Sequence, residues 1–142
     1  MKTIIHTVRI HAPPERVYRA LTTEEGVTGW WSTEARLYPG EGEIIEFTFV
    51  GDFHPHMKQT SLKEGKVVQW RCIAGHSNWQ DNTFTFTLRD VEAETSLRFV
   101  QEYAQELDDD TYGTYNFNWG YYLNSLKRLC ETGAGTPYEV AS

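Results

Sequence analysis

Along the first ten residues Ile4, His6, Val8 and Ile10 alternate with Ile5, Thr7 and Arg9, the period of a strand with one side more buried. Pro13 and Pro14 end it and open a helix, because proline fits the first helical turn; PPERVYRALTTEE follows with Val17, Tyr18 or Ala20, and Leu21 at helical spacing. A second short helix is predicted from Thr22 or Thr23, with Glu24 and Glu25 in its first turn, to the Gly29-Trp30-Trp31 step. Strands are then predicted at Glu34 to Leu37, Gly42 to Val50, Met57 to Leu62, Lys66 to Ile73, Asn82 to Arg89 and Thr95 to Tyr103. Gly-rich or charged turns separate them, so the connections read as hairpins. Their alternation puts Ile45, Phe47, Phe49, Val68, Trp70, Cys72, Phe84, Phe86, Leu88, Leu97 and Phe99 on one face. Glu46, Thr48, Gln69, Arg71, Thr85, Thr87 and Arg98 fall on the other, which should face solvent.

The period changes after Asp108-Asp109-Asp110. Tyr112, Tyr115, Trp119, Tyr122, Leu123, Leu126 and Leu129 or Cys130 recur at three, four and seven, which predicts a long amphipathic helix. It should stop at Glu131-Thr132-Gly133, with Gly133 as left-handed cap. Gly113 and Gly120 each cost about 1 kcal/mol relative to alanine inside it, so packing against the curved sheet must hold it. Tyr138 to Ser142 read as a frayed tail.

This order of elements carries a resemblance. APPERVYRALTTEEGVTGWW near the N-terminus and WGYYLNSLKRLCETGAG near the C-terminus resemble the end motifs of the START-related helix-grip superfamily (SRPBCC, birch-pollen-allergen-like). They are most similar to its branch of homologues of the activator of the ninety-kilodalton heat-shock chaperone ATPase. The resemblance implies an α+β helix-grip fold over residues 1–142 as a single domain: a curved antiparallel sheet of about seven strands wrapped around the long C-terminal helix, with a cavity between them. Members of the superfamily hold small hydrophobic molecules such as lipids, sterols, polyketides or flavonoids. Tyr18 departs from the tryptophan common there, Phe53-His54-Pro55-His56-Met57 matches no motif, and no catalytic residue carries over.

Composition narrows the chemistry. The 142 residues suit one hydrophobic core without disulfides or a structural metal, and the two cysteines have no CxxC or Cys/His spacing. A reducing, cytoplasmic location is expected, since the N-terminus lacks the apolar run of a signal peptide and no stretch suits a membrane span. Thirteen basic against twenty acidic residues give a charge of −7 with no basic cluster, which argues against a nucleic-acid partner. Aromatics make up 14% of the chain within a hydrophobic share of only 39%, so rings dominate the interior.

Those rings set the functional question. A dry apolar void of about 300 Å³ would cost on the order of 7 kcal/mol, comparable with a domain's whole stability of roughly 5–15 kcal/mol. Any cavity must therefore be wet, occupied, or filled by side chains. Phe47, Phe49, Trp70, Phe84, Phe86, Phe99, Tyr115, Trp119 and Tyr122 are the expected walls, bulky enough to favour a small flat pocket over a lipid tunnel; alternatively they simply make a core. The resemblance implies that Trp30 and Trp31 lie at the mouth, where one is expected as a buried anchor and the other as a gate. Gln101 and Tyr103, at a strand end, are candidates to orient a ligand.

Other chemistry is sparse. No phosphate loop, GxSxG, HExxH or framed Cys-His pair is present. His54 and His56, with Asp52 nearby, share one side of an extended segment, but two ligands from one strand do not make a metal site, so they are read as solvated and no metal or cofactor is expected. His6 is either a hydrogen-bonded core residue or a polar group at the pocket rim. Phe117 and Tyr121 project opposite the Trp119 and Leu126 stripe and suggest a homodimer or protein contact. The leading expectation is a binder of a small hydrophobic or aromatic molecule. A co-chaperone-like interaction module with a filled core is the alternative, and an enzyme on a polyketide-like substrate, using Tyr103 or His6, is a weaker one.

Overall fold

A computed structural model describes residues 2–49 and 53–139. The first strand, β1 (Thr3–Ile10), leads through Pro13 and Pro14 into α1 (Pro14–Thr22), whose proline sits in the first turn where its missing N–H costs nothing. Thr23 closes α1 and caps α2 (Glu24–Trp30): its hydroxyl accepts from the Gly26 N–H at 3.1 Å, and Glu24 and Glu25 favour the positive end of the helix.

The remaining strands are β2 (Glu34–Arg36), β3 (Ile44–Thr48), β4 (His56–Lys63), β5 (Val67–Ala74), β6 (Thr83–Val91) and β7 (Glu94–Glu102). They form one antiparallel sheet of seven strands in the order β1-β7-β6-β5-β4-β3-β2. The long helix α3 (Asp109–Thr132) lies in its concave face. Asp108 caps it by accepting from the Thr111 N–H at 2.9 Å, and Gly133, at φ 90°, ends it in the left-handed conformation that side chains disfavour. This is the helix-grip α+β architecture expected, with the two short helices after β1.

The inward face of the sheet is the core. Ile45, Phe47, Val68, Trp70, Cys72, Phe84, Phe86, Leu97 and Phe99 have no solvent exposure, and Phe49 is half-buried near the sheet end. Against them pack Val17, Leu21, Val27 and Trp30 from α1 and α2, and Leu123, Leu126 and Cys130 from α3. Both cysteines are free, and burial pushes the thiols up, to about 11 for Cys72 and about 12 for Cys130, so neither is activated as a thiolate. No helix among the described residues is long and apolar enough to cross a membrane.

The tail departs from expectation. Tyr138 is not frayed: its N–H donates to the Trp31 carbonyl at 2.8 Å, and the Thr136 N–H donates to Ser125 Oγ at 2.7 Å. Gly135 allows this path, because a Cβ there would stand 2.5 Å from the Gly29 carbonyl oxygen. Val140 to Ser142 lie outside the described residues.

Candidate functional site

Three indoles form the floor of a cavity between the sheet and the first half of α3. Trp31, Trp79 and Trp119 have centroids 5.3 to 6.2 Å apart and planes within 34° of each other, and all are nearly fully buried. Trp31 reaches this position because it caps α2 with φ −130° and ψ −81°, which turns its ring over Trp30; the pair stacks at 5.5 Å. The expected anchor and gate are thus both interior. Trp30 is the anchor, its Nε1 donating to the Ala20 carbonyl at 2.9 Å, whereas Trp31 is floor rather than gate. Trp119 is fixed by donation from Nε1 to Gln101 Oε1 at 2.8 Å.

The cavity has a volume of about 590 Å³ and is open to solvent. Sealed and dry, that space would cost about 14 kcal/mol, more than a domain of this size can bear, so it must hold water or a ligand. Phe49, Tyr115, Tyr122 and Tyr138 complete the aromatic wall, Phe53 stands half-exposed at the edge, and Asp110, Thr111, Thr114 and Asn118 of α3 contribute polar groups. Asn78 Nδ2 donates to Tyr115 Oη at 3.0 Å, which ties the wall across the opening.

The polar centre is His76. It follows Gly75, whose φ of +84° and close approach to the chain leave no room for a side chain: a Cβ would fall 1.8 Å from the His54 carbonyl oxygen. A single 3-10 turn, Ser77–Trp79, then eclipses His76 with Trp79, and their rings stack at 4.1 Å with planes 3° apart. Phe53 covers the imidazole from the other side at 4.9 Å. Burial lowers the His76 pKa to about 4, so the ring is neutral at physiological pH, and its buried Nδ1 has no hydrogen-bond partner among the described residues. Trp79 Nε1 is turned toward the Tyr103 phenol beneath the floor. The His76 ring, which lines the cavity beside the aromatic floor, is the group that can offer a ligand a polar contact.

Of the residues expected from the sequence, Trp31, Phe49, Tyr115, Trp119 and Tyr122 line this space. Trp30, Phe47, Trp70, Phe84, Phe86 and Phe99 do not: they interlock at 4.9 to 6.4 Å with their neighbours in the packed core. Gln101 and Tyr103 lie beneath the floor, where Gln101 positions Trp119 and burial pushes the Tyr103 phenol up, against acid–base work. His6 is half-buried under α3, its Nε2 donating to Asn116 Oδ1 at 3.0 Å, and does not line the cavity. His76, Trp79, Phe53 and Tyr138 were not anticipated. They sit in loops or in the tail, where no hydrophobic period marks them; the Gly75 turn is the one signal that a chain reversal brings a ring inward.

On the outside of α3, Phe117 is 75% exposed and Tyr121 49% exposed, so both rings do project away from the core.

Comparison with known proteins places this architecture. A family model described as activator of Hsp90 ATPase homolog 1-like protein matches residues 11–131. The chain belongs to that family. Within this Aha1-like group it is similar to Aha1 of Colwellia psychrerythraea, whose solution structure is of a dimer: identity is 34%, TM-score 0.85, and the match covers 95% of this chain and 100% of that one. A Mesorhizobium loti protein is 21% identical with TM-score 0.80, covering 90% of this chain and 96% of that one. A Staphylococcus saprophyticus protein is 17% identical with TM-score 0.80, covering 98% of each. These last two likenesses speak for the fold alone. No curated protein matches the chain.

Proposed function

We propose that this Aha1-like chain is a single helix-grip domain that binds a small, flat, hydrophobic or aromatic molecule between its sheet and the first half of α3, in a cytoplasmic setting. The observation that carries the reading is the cavity of about 590 Å³ floored by Trp31, Trp79 and Trp119 and open to solvent. Indole faces offer a ring both area and offset stacking, worth about 0.5–1.5 kcal/mol beyond burial for each good pair. The neutral His76 on the cavity wall supplies a polar contact that favours a ligand carrying a hydroxyl or carbonyl over a pure hydrocarbon. The flat floor also favours fused or linked rings over an alkyl chain.

Because three tryptophans form the floor, a bound ring should quench intrinsic fluorescence. Titration with hydroxylated aromatic compounds, with a fatty acid as the contrasting ligand, is expected to show saturable quenching by the aromatics. Replacing Thr114 by Trp, at an exposed α3 position on the cavity edge, should fill the space and abolish the quenching while leaving the melting temperature close to the parent's. Quenching that persists in the filled variant would place the ligand elsewhere and overturn the reading.

A second feature accompanies the first. The exposed Phe117 and Tyr121, together with the dimer reported for the Colwellia protein, favour self-association through the outer face of α3. Analytical ultracentrifugation of Phe117→Asp against the parent tests it: a shift to monomer supports the contact, and unchanged sedimentation rejects it.

A further inference from the structure

The outer face of the sheet carries a second cluster, distinct from the cavity. Glu46 of β3 and His56 of β4 are directly paired across the two strands. His54, two residues before His56 in extended chain, returns to the same face, while Pro55 and Met57 between and after them point inward and are buried. The segment is pinned on both sides, since the His54 N–H donates to the Gly75 carbonyl and the Phe47 N–H donates to the Pro55 carbonyl. As a result the two imidazoles meet, centroids 4.8 Å apart, and both Nε2 atoms aim at one carboxylate oxygen: His54 at 3.5 Å and His56 at 3.3 Å from Glu46 Oε1.

The two histidines of one segment thereby gain a third potential ligand, Glu46, from the neighbouring strand. The geometry points to a divalent transition-metal site formed by His54, His56 and Glu46, taking Zn²⁺ or an ion of similar ligand preference on the outside of the sheet. Ligands about 2.0–2.1 Å from a tetrahedral zinc stand about 3.3 Å from one another. The two nitrogen-to-oxygen separations already meet this, and all three donor atoms lie within 4.8 Å. The donor set of two imidazoles and a carboxylate suits zinc, nickel or copper and not calcium or magnesium, which prefer oxygen. Asp52, which the sequence places nearby, lies outside the described residues.

The surroundings favour a cation. Glu24, Glu25 and Glu34 line the same cleft as Glu46 and His54, against a single basic group, Arg36. Arg36 stands opposite Glu46 on β2, yet among the described residues the basic side-chain nitrogens within 4.0 Å of the Glu46 carboxylate are those of the two histidines. All three side chains are a third to a half exposed, so an ion can enter and would keep one or two positions for water or an exogenous donor.

The test is a titration of the full chain, free of any affinity tag, with zinc chloride in competition with a chromophoric chelator. One zinc per chain is expected. His54→Gln, His56→Gln and Glu46→Gln should each weaken binding at least about ten-fold, and the double histidine variant should lose it. Because the three groups are solvent-facing, the variants should melt with the parent in the presence of chelator, while zinc should raise the melting temperature of the parent alone. Parent protein that binds zinc no better than the double variant would overturn the proposal, as would variants that all bind like the parent.

Discussion

The two halves of α3 differ in what they pack against. Its C-terminal half is packed: Leu123, Ser125, Leu126 and Cys130 are buried, Leu129 lies so close to Gly29 that a Cβ there would be 3.1 Å away, and Lys127 and Glu131 form an ion pair of 2.7 Å while bonding to β1 and its exit. Its N-terminal half buries no residue before Trp119. It is held instead by polar ties: the Asp108 cap, Lys2 to Asp109, Tyr112 Oη donating to the Thr3 carbonyl at 2.7 Å, and Asn78 to Tyr115. One helix thus serves the core at one end and spans open space at the other. Stability and room for a ligand are separated along its axis, so the cavity does not weaken the core.

Paired substitutions should break that separation most visibly. Leu126→Ala, in the packed half, is expected to cost about 2–5 kcal/mol in urea unfolding. Tyr115→Ala, over the cavity, should cost less, about 1–2 kcal/mol with its hydrogen bond from Asn78 lost, but reduce uptake of aromatic compounds strongly. Similar losses of stability at the two positions would mean the halves are energetically alike.

Removing the cap gives a smaller effect confined to one half. Asp108→Ala should cost about 1 kcal/mol, and hydrogen exchange should show faster opening of residues 109–115 with no change beyond Trp119. Uniform acceleration along the helix would contradict the division.

A pH series sharpens the comparison through His76. Burial lowers its pKa from 6.5 to about 4, so below pH 6.5 the unfolded chain takes up a proton that the folded protein refuses. The associated stability is therefore complete above pH 6.5 and declines as pH falls toward 4. Asp108, held below the ordinary carboxylate range by the Thr111 N–H and hydroxyl, responds only at lower pH. His76→Phe is expected to flatten the stability profile between pH 6.5 and 4, and an unchanged slope would show that His76 does not cause it. Smallest of all, Phe117→Ala should alter monomer stability by no more than about 0.5 kcal/mol, any effect appearing in the oligomeric state instead.

The same division explains what the sequence disclosed. Alternation along Ile45, Phe47, Val68, Trp70, Phe84, Phe86 and Phe99 correctly marks one buried face, and Thr23, Asp108 and Gly133 mark helix ends through capping chemistry. Periodicity cannot say which half of α3 stands over a given ring, so Phe47, Trp70, Phe84, Phe86 and Phe99 resemble Trp119 in pattern though they never reach the cavity. His76 and Trp79 meet through one 3-10 turn, and Tyr138 arrives through a tail whose course depends on Gly135 passing Gly29. Such placements rest on tertiary contacts, and no local spacing records them. The outer cluster is similar: His54 and His56 are visible in the chain, but Glu46 joins them only through strand register.

Native mass spectrometry of freshly purified protein, compared with its denatured mass and followed by identification of what solvent extraction releases, reads whether the space under the first half of α3 holds a ligand. A stoichiometric adduct, aromatic and bearing a hydroxyl or carbonyl, and lost in the Thr114→Trp variant, is the predicted result. A bare mass that persists after incubation with hydrophobic extracts would mean that the space holds water and is no ligand site.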